Sequence, residues 1–270
     1  MIRVGILGCG FIGTQICQAI DRGDVSAEIY AVYDVSYNKA QELISSLEIQ
    51  TPVYCSPSQM FENTDLIIEC ASPDAARLYI SEALKNGCDI LVMSAGAFQD
   101  PEFYNEVYEI ALNGGKRIYI PSGAIAGTDS LKSGMTSNID SVVIETRKPV
   151  SGLADSPYVI KNKISLENLK EPLTLFEGKA SDAVVNFPRN VNVCATISLC
   201  GIGFEKTEVR IIADPTIQKN IHKLKVKGDF GEMFMEIKNN PAPTNPKTSY
   251  IAALSAIAKL KEITNPFQIG

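Results

Sequence analysis

The glycine-rich segment Gly8-Cys9-Gly10-Phe11-Ile12-Gly13 constrains the fold more than any other part of the chain. It follows an apolar stretch at residues 4–7 and opens a helical pattern. In this setting Gly8 permits a tight turn, Gly10 lets a pyrophosphate approach bare backbone, and Gly13 lets the helix pack closely on the strand. Phe11 and Ile12 would lie in the first turn of that helix, which faces the phosphates. The segment predicts a dinucleotide-binding βαβ unit.

An acidic residue stands at the expected distance from this motif. Asp34 ends the apolar stretch 28–33 and follows Gly13 by 21 residues. A carboxylate there is expected to accept hydrogen bonds from the adenosine ribose, and it would repel a 2′-phosphate, so NAD is favoured over NADP. A turn or helix-capping aspartate is the alternative interpretation.

The first 140 residues alternate between short apolar runs and helical patterns. This alternation predicts an α/β fold with a doubly wound parallel sheet of the Rossmann type. Ala71 and Ser72 follow the fourth strand position, at the sheet edge where ligands bind in such folds, although a plain βα loop would have the same residues. The predicted strands are 3–7, 28–33, 66–70, 89–93 and 117–120, and the predicted helices are 12–21, 38–47, 75–86 and 103–113.

The second half changes to strands with two-residue periodicity. In the run 221–227, three lysines fall on one face, whereas His222, Leu224 and Val226 fall on the other. A turn at 228–231 leads into a second alternating run, 232–238, which predicts an antiparallel hairpin with one solvated face. We therefore expect a dinucleotide-binding domain at 1–125, a second α+β domain with a largely antiparallel sheet at 126–245, and a C-terminal helix, 246–264, that packs back on the first domain.

His222 is the single histidine of the chain. Its position in the alternation places it on the inward face of its strand. An imidazole exchanges protons near neutral pH, so His222 is the candidate general acid or base. A buried histidine with a purely structural hydrogen bond is the alternative.

Two further segments carry candidate polar contacts. Asn190 is interpreted either as a helix cap or as an amide donor to cofactor or substrate, and Asn192 shares the second possibility. Residues 246–249 resemble a helix start, where Lys247, Thr248 and Ser249 could hold a carboxylate. A simple helix cap with a solvated lysine is the alternative for this segment.

Composition excludes several classes of function. The chain has 25 basic and 31 acidic residues, a net charge of −6, which argues against nucleic acid or an anionic membrane as the main partner. The seven scattered cysteines indicate neither a disulfide framework nor a metal site. With no targeting signal or membrane-spanning run recognised, we expect a cytoplasmic protein.

Across essentially its full length the chain resembles the L-aspartate dehydrogenases of archaea and bacteria. The resemblance rests on the glycine motif and on four later blocks, which are residues 121–130, 187–200, 213–222 and 245–249. It implies NAD- or NADP-dependent oxidative deamination of L-aspartate to iminoaspartate and then to oxaloacetate and ammonia. It also implies a homodimer formed through the second domain, His222 as the active-site histidine, and Ala124 and Asn190 as cofactor contacts near the nicotinamide. Quinolinate synthase is an implied neighbour in NAD biosynthesis.

Three other functions stay open at this stage. A dihydrodipicolinate-reductase-like enzyme shares the two-domain plan, but its paired-histidine signature is absent from this chain. A homoserine-type dehydrogenase is a second enzyme alternative. A non-catalytic NAD-binding sensor would share the glycine motif and turn over nothing.

Overall fold

The computed structural model describes residues 1–188, 192–243 and 245–268. The chain divides into two units, Met1–Pro121 with Ala252–Gly270, and Ser122–Ile251. Within the described residues, no helix combines the length and apolar character that crossing a bilayer requires.

The first unit is built on a six-stranded parallel sheet in the order β3-β2-β1-β4-β5-β6. This is the doubly wound order of dinucleotide-binding folds, as predicted. Its strands are β1 (Ile2–Leu7), β2 (Ala27–Tyr33), β3 (Val53–Tyr54), β4 (Leu66–Glu69), β5 (Asp89–Val92) and β6 (Ile118–Tyr119). Its helices are α1 (Phe11–Asp21), α2 (Tyr37–Ser45), α3 (Pro57–Phe61), α4 (Pro73–Lys85) and α5 (Pro101–Gly114).

The central strands of this sheet are continuous apolar runs because helices cover both faces. All four residues of β4 are buried, as are Val4 to Leu7 of β1. The last helix of the chain, α10 (Tyr250–Thr264), belongs largely to this unit, and its Ala256 and Leu260 lie in the core formed around β1 and α1.

The second unit contains a five-stranded sheet in the order β11-β10-β7-β9-β8. Only the β7–β9 pair is parallel, so the prediction of a largely antiparallel sheet is confirmed. The strands are β7 (Ile139–Lys148), β8 (Leu173–Lys179), β9 (Glu208–Ala213), β10 (Asn220–Gly228) and β11 (Gly231–Asn239), and a two-stranded ribbon consists of β12 (Pro241–Ala242) and β13 (Asn245–Ser249). The helices are α6 (Thr128–Gly134), α7 (Pro157–Lys161), α8 (Ala180–Asn186) and α9 (Asn192–Cys200).

The hairpin of β10 and β11 agrees with the two-residue periodicity. Its strands pair from Asn220 with Asn239 to Gly228 with Gly231, and Gly231 has φ of +112°, which glycine adopts without strain. His222, Leu224 and Val226 are buried, whereas Lys225 and Lys227 are exposed. The predicted inward and solvated faces of this strand are therefore confirmed.

The segment at 246–249 is not a helix start, and this prediction was wrong. These residues belong to β13, which pairs with β12, and the helix begins at Tyr250 instead of 246. Proline has the φ angle of a first helical residue, but it is equally tolerated on a short edge strand. Pairing with β12 decides between these two conformations.

Candidate active site

The glycine motif forms the turn between β1 and α1, and each glycine has a distinct reason to be there. Gly8 has φ of +103°, and a Cβ on it would lie 2.8 Å from the backbone nitrogen of Ala71. A Cβ on Gly13 would overlap the carbonyl oxygen of Gly8. A Cβ on Gly10, by contrast, would meet no atom within 4 Å among the described residues. Gly8 and Gly13 are therefore required by packing, whereas Gly10 leaves open space at the amino terminus of α1.

That open space belongs to a cavity of about 330 Å³ in the first unit. Gly8, Gly10, Asp34, Ala71 and Ser72 all line it. Phe11 and Ile12 form the first turn of α1, directly after Gly10. The cavity thus brings together predicted cofactor residues from three βα junctions, and its bare glycine backbone next to a helix amino terminus fits a dinucleotide pyrophosphate.

Asp34 is held in a fixed orientation by the backbone. One carboxylate oxygen accepts the N–H of Cys9 at 2.9 Å, and the other accepts the N–H of Ser36 at 2.8 Å. A carboxylate has about four lone-pair sites, so these two bonds leave capacity for further donors. The geometry is compatible with acceptance of hydrogen bonds from a ribose at this edge of the cavity.

A second carboxylate, Glu69 at the end of β4, orders the neighbouring loops. It is fully buried and accepts the N–H groups of Ala71 at 2.8 Å and Ser72 at 3.0 Å. It also accepts the N–H and the hydroxyl of Ser94 at 3.1 and 2.9 Å. Burial raises the pKa of Glu69 to about 7, against the opposing effect of these donors. Glu69 therefore ties two cavity-lining residues to the loop after β5.

The inner face of the second sheet is divided into an apolar part and a polar part. Near the hairpin turn, Val226 pairs with Val142 and Leu224 with Ile144, and all four side chains are buried. Toward the other end the same face carries buried polar side chains, which are Thr146, Lys148, Asn220, His222 and Asn239. A buried polar group has to be hydrogen-bonded or functional, so this polar end is the candidate chemical centre of the unit.

His222 lies in the middle of the polar end with 2% of its surface exposed. It pairs with Thr146 across the strands, and the Thr146 hydroxyl is 3.0 Å from His222 Nδ1. Burial, followed by the charge of Lys148, lowers the pKa of His222 to about 3. The imidazole is consequently neutral at physiological pH and has a lone pair available to accept a proton.

Two asparagines connect the polar end to other predicted site residues. Asn220 donates to the Ser249 hydroxyl at 3.2 Å, and Asn239 donates to the Ala124 carbonyl at 2.8 Å. Asn220 and Asn239 are themselves paired between β10 and β11. Ser249 and Ala124, two residues singled out from sequence, are thus anchored to neighbouring positions of one strand pair.

Three further predicted residues lie in α9 and β13. Asn192 is the first residue of α9 and is exposed. Thr248 is half-buried in β13, and Lys247 belongs to the same strand. Asn190 lies outside the described residues.

Sequence reasoning missed Glu69, Thr146, Lys148, Asn220 and Asn239. A usable signal existed for two of them, because Thr146 and Lys148 alternate with charged Glu145 and Arg147 along the chain. The register that places Thr146 opposite His222 is a property of the sheet and cannot be read from either strand alone.

Comparison with known families agrees with this architecture. Residues 129–263 match the family profile described as "Aspartate dehydrogenase, C-terminal", and residues 8–121 match "Homoserine dehydrogenase, NAD binding domain". The chain is 50% identical to the L-aspartate dehydrogenase of Methanosarcina acetivorans and 38% identical to that of Methanococcus maripaludis strain C5, with full coverage of both chains in each case.

Solved structures show the same relationship. The crystal structure of aspartate dehydrogenase from Thermotoga maritima superposes with a TM-score of 0.79 at 30% identity and full coverage of both chains. A homoserine dehydrogenase from Thiobacillus denitrificans has a TM-score of 0.61 at 14% identity, covers 97% of this chain and 73% of that one, and shares the fold alone. The nucleotide-binding unit is therefore of a type common to several dehydrogenases, whereas the second unit and the full-length identity are specific. The chain belongs to the L-aspartate dehydrogenase family.

Proposed function

We propose that this protein oxidises L-aspartate to iminoaspartate, which water converts to oxaloacetate and ammonia. The observation that carries the proposal is the 50% sequence identity, over the full length of both chains, with relatives named L-aspartate dehydrogenase. The cavity at the glycine motif supports it, because its residues fit a pyridine nucleotide. When bound, such a cofactor accepts a hydride from the substrate Cα.

The first unit supplies binding and orientation in this proposal. Backbone at Gly8, Gly10 and Gly13, with the first turn of α1 at Phe11 and Ile12, holds the pyrophosphate. Ala71 and Ser72 line the neighbouring wall. In the second unit, Ala124 and Asn190 contact the cofactor toward the nicotinamide.

His222 acts as the general base for the attacking water. Attack of water on the iminium carbon forms a C–O bond while the C=N π electron pair moves to nitrogen, and the proton released from the water passes to His222. The C–N bond then breaks as the C=O bond forms, and ammonia leaves. In the tautomer suited to this role, Nδ1–H donates to the Thr146 hydroxyl and Nε2 carries the free lone pair. We assign substrate contacts to Asn192, Lys247, Thr248 and Ser249, with Ser249 oriented by its bond from Asn220.

The backbone-held Asp34 supports a preference for NAD over NADP. Its carboxylate would repel a 2′-phosphate and accept hydrogen bonds from a free ribose diol.

The assembly, location and pathway are also proposals. We propose a homodimer formed through the second unit, supported by the edge position of the nine-residue β11 and the exposed Phe234 on it. Sedimentation analysis tests this assignment. We further propose a cytoplasmic enzyme, organised as residues 1–125 and 126–245, that supplies iminoaspartate to quinolinate synthase.

The deciding experiment follows the absorbance of the reduced nicotinamide. Purified protein receives NAD or NADP with L-aspartate, D-aspartate or L-homoserine in turn. We expect reduction with L-aspartate alone. Reduction with L-homoserine alone would support a homoserine-type dehydrogenase. Cofactor binding without reduction by any of the three substrates would support a reductase of another substrate or a sensor.

A further inference from the structure

Asn220 and Asn239 form the pair that closes the β10–β11 hairpin at the end opposite its turn. Each side chain holds a segment from elsewhere in the second unit. Asn239 donates from its amide nitrogen to the Ala124 carbonyl at 2.8 Å, across 115 positions of the sequence, and Asn220 donates to the Ser249 hydroxyl at 3.2 Å, across 29 positions. All four residues are at most 7% exposed. One strand pair therefore fixes where two distant segments lie.

The bond from Asn239 is the more demanding of the two. A backbone carbonyl oxygen only accepts hydrogen bonds, so the amide nitrogen of Asn239 has to face Ala124. The Ser249 hydroxyl can donate as well as accept, so a different polar group at position 220 could still bond to it. Loss of the amide at position 239 would instead remove a donor from a buried carbonyl, which is unfavourable.

The loop that contains Ala124 contacts β11 at a second place. Gly127 has φ of +86°, and a Cβ on it would lie 3.1 Å from Met235 Cγ. Close apolar packing of this kind has no preferred direction, whereas a hydrogen bond does. The bond from Asn239 is therefore the contact that sets the position of Ala124 along the strand.

This asparagine pair lies beside the candidate general base. Asn220 precedes His222 by two positions on β10, so their side chains share the buried face and lie about 7 Å apart along the strand. Asn239 projects to the same face, because directly paired residues of neighbouring strands do so. The segments assigned to cofactor and substrate are thus anchored at the strand pair next to the imidazole.

We propose that Asn239 is a positioning residue for hydride transfer, because its amide holds the loop of Ala124, which is assigned to the nicotinamide end of the cofactor. The proposal rests on the proposed function. In the step concerned, the substrate Cα–H bond breaks, the amine lone pair forms the C=N bond, and the hydride reduces the nicotinamide. Asn239 touches none of the reacting atoms. A displacement of about 1 Å in what it holds is enough to slow such a step about 100-fold.

Replacement of Asn239 by an apolar side chain of similar size tests the contact. We expect Asn239→Leu to lower kcat about 10- to 100-fold. The Kd for ADP-ribose, which lacks the nicotinamide, should change by less than about twofold, because its proposed contacts come from the first unit. The primary isotope effect on kcat, measured with L-aspartate deuterated at Cα, should be at least as large as in wild type. Asn240→Leu, at the exposed neighbouring position, is the matched control and should leave all three quantities unchanged.

The possible failures are distinguishable, and thermal unfolding establishes that each variant is folded. A folded Asn239→Leu protein whose kcat stays within about twofold of wild type, or whose isotope effect is smaller, overturns the assignment of Asn239. A wild-type protein that binds NAD and does not oxidise L-aspartate overturns the proposed function itself.

A second variant does not depend on Asn239→Leu folding. In Asn239→Asp the introduced carboxyl group can donate an O–H to the Ala124 carbonyl when protonated, but it has no hydrogen to donate when ionised. The kcat of this variant, divided by that of wild type at each pH, should therefore fall as the pH rises. A ratio that stays constant over the pH range in which both proteins are folded would overturn the proposal.

Discussion

Ser94 donates two hydrogen bonds to the buried carboxylate of Glu69, one from its backbone N–H and one from its hydroxyl. The same carboxylate accepts the N–H groups of Ala71 and Ser72, so one side chain joins the loops after β4 and β5. Ala71 and Ser72 line the cavity at the glycine motif. Glu69 therefore positions part of the proposed cofactor site and does not itself line the cavity.

Replacing Glu69 by glutamine should weaken cofactor binding. The amide retains one acceptor oxygen and presents an N–H₂ group to backbone donors, which disrupts at least one of the four bonds. We expect Glu69→Gln to raise the KM for NAD about tenfold, with a smaller effect on kcat at saturating NAD. Glu62→Gln, an exposed glutamate at the end of α3, is the control. An unchanged KM for NAD would show that the loops hold their shape without the carboxylate.

Removal of the imidazole should affect chemistry and leave binding intact. Loss of a general base typically lowers turnover by 10²–10⁴, so we expect His222→Ala to reduce kcat by about that factor. NAD binding should be nearly unchanged, because the proposed pyrophosphate and ribose contacts come from the first unit. Steady-state kinetics and fluorescence titration measure the two quantities, and unchanged turnover would remove His222 from the mechanism.

The buried imidazole also predicts a pH dependence of stability. Its pKa is about 3 in the folded protein against an ordinary value of 6.5, so the unfolded chain takes up the proton first on acidification. Stability from this group is complete above about pH 6.5 and is lost as the pH falls toward 3, by about 2 kcal/mol at pH 5. Denaturant unfolding should show this loss for wild type relative to His222→Gln. Parallel pH curves for the two proteins would contradict it.

Alanine at two glycines of the motif should affect two different properties, the stability of the fold at Gly13 and the affinity for NAD at Gly10. A Cβ at Gly13 overlaps the Gly8 carbonyl oxygen, so Gly13→Ala should destabilise the fold by several kcal/mol. A Cβ at Gly10 meets open space, so Gly10→Ala should fold normally and bind NAD about tenfold more weakly if the pyrophosphate approaches there. Thermal unfolding and NAD titration separate the two effects. Normal NAD affinity in Gly10→Ala would show that the pyrophosphate does not bind against the backbone at Gly10.

Neutralising Asp34 should shift the choice of cofactor. We expect Asp34→Asn to raise the ratio of kcat/KM for NADP over that for NAD about tenfold or more, because repulsion of the 2′-phosphate is removed. The asparagine oxygen can still accept one of the two backbone N–H groups now bound by the carboxylate. An unchanged ratio would mean that Asp34 only stabilises the local backbone and does not select the cofactor.

Local pattern was sufficient to predict much of the fold. The strands β1 and β4 are buried on both faces, so each is a continuous apolar run. Such a run can be recognised in the sequence without knowing which strands lie beside it. In β10 the lysines at 223, 225 and 227 reveal the solvated side, and so place His222 inward. The family resemblance is confirmed by the comparisons, and the roles of the individual site residues stay predictions.

Other features depend on contacts between distant segments. The edge strand β8 was not predicted, because its residues are mostly half-exposed or exposed and the alternation is weak. Residues 246–249 were assigned to a helix because Pro246 suits either structure locally, and pairing with β12 was decisive. Glu69 was overlooked because an acidic residue at a strand end has no distinctive spacing. Its importance comes from donors on two loops.

The alternation along β7 has a consequence for how this chain can change over evolution. Thr146 and Lys148 face His222 and its neighbours, while Glu145 and Arg147 face the ionic side of the sheet. Inserting or deleting one residue just before Glu145, with the pairing of the preceding strand residues kept, would exchange the two sets, burying Glu145 and Arg147 and exposing Thr146 and Lys148. Point substitutions can adjust the site gradually, whereas single-codon length changes in this strand should be eliminated by selection. Tolerated changes in length are expected in the connecting loops.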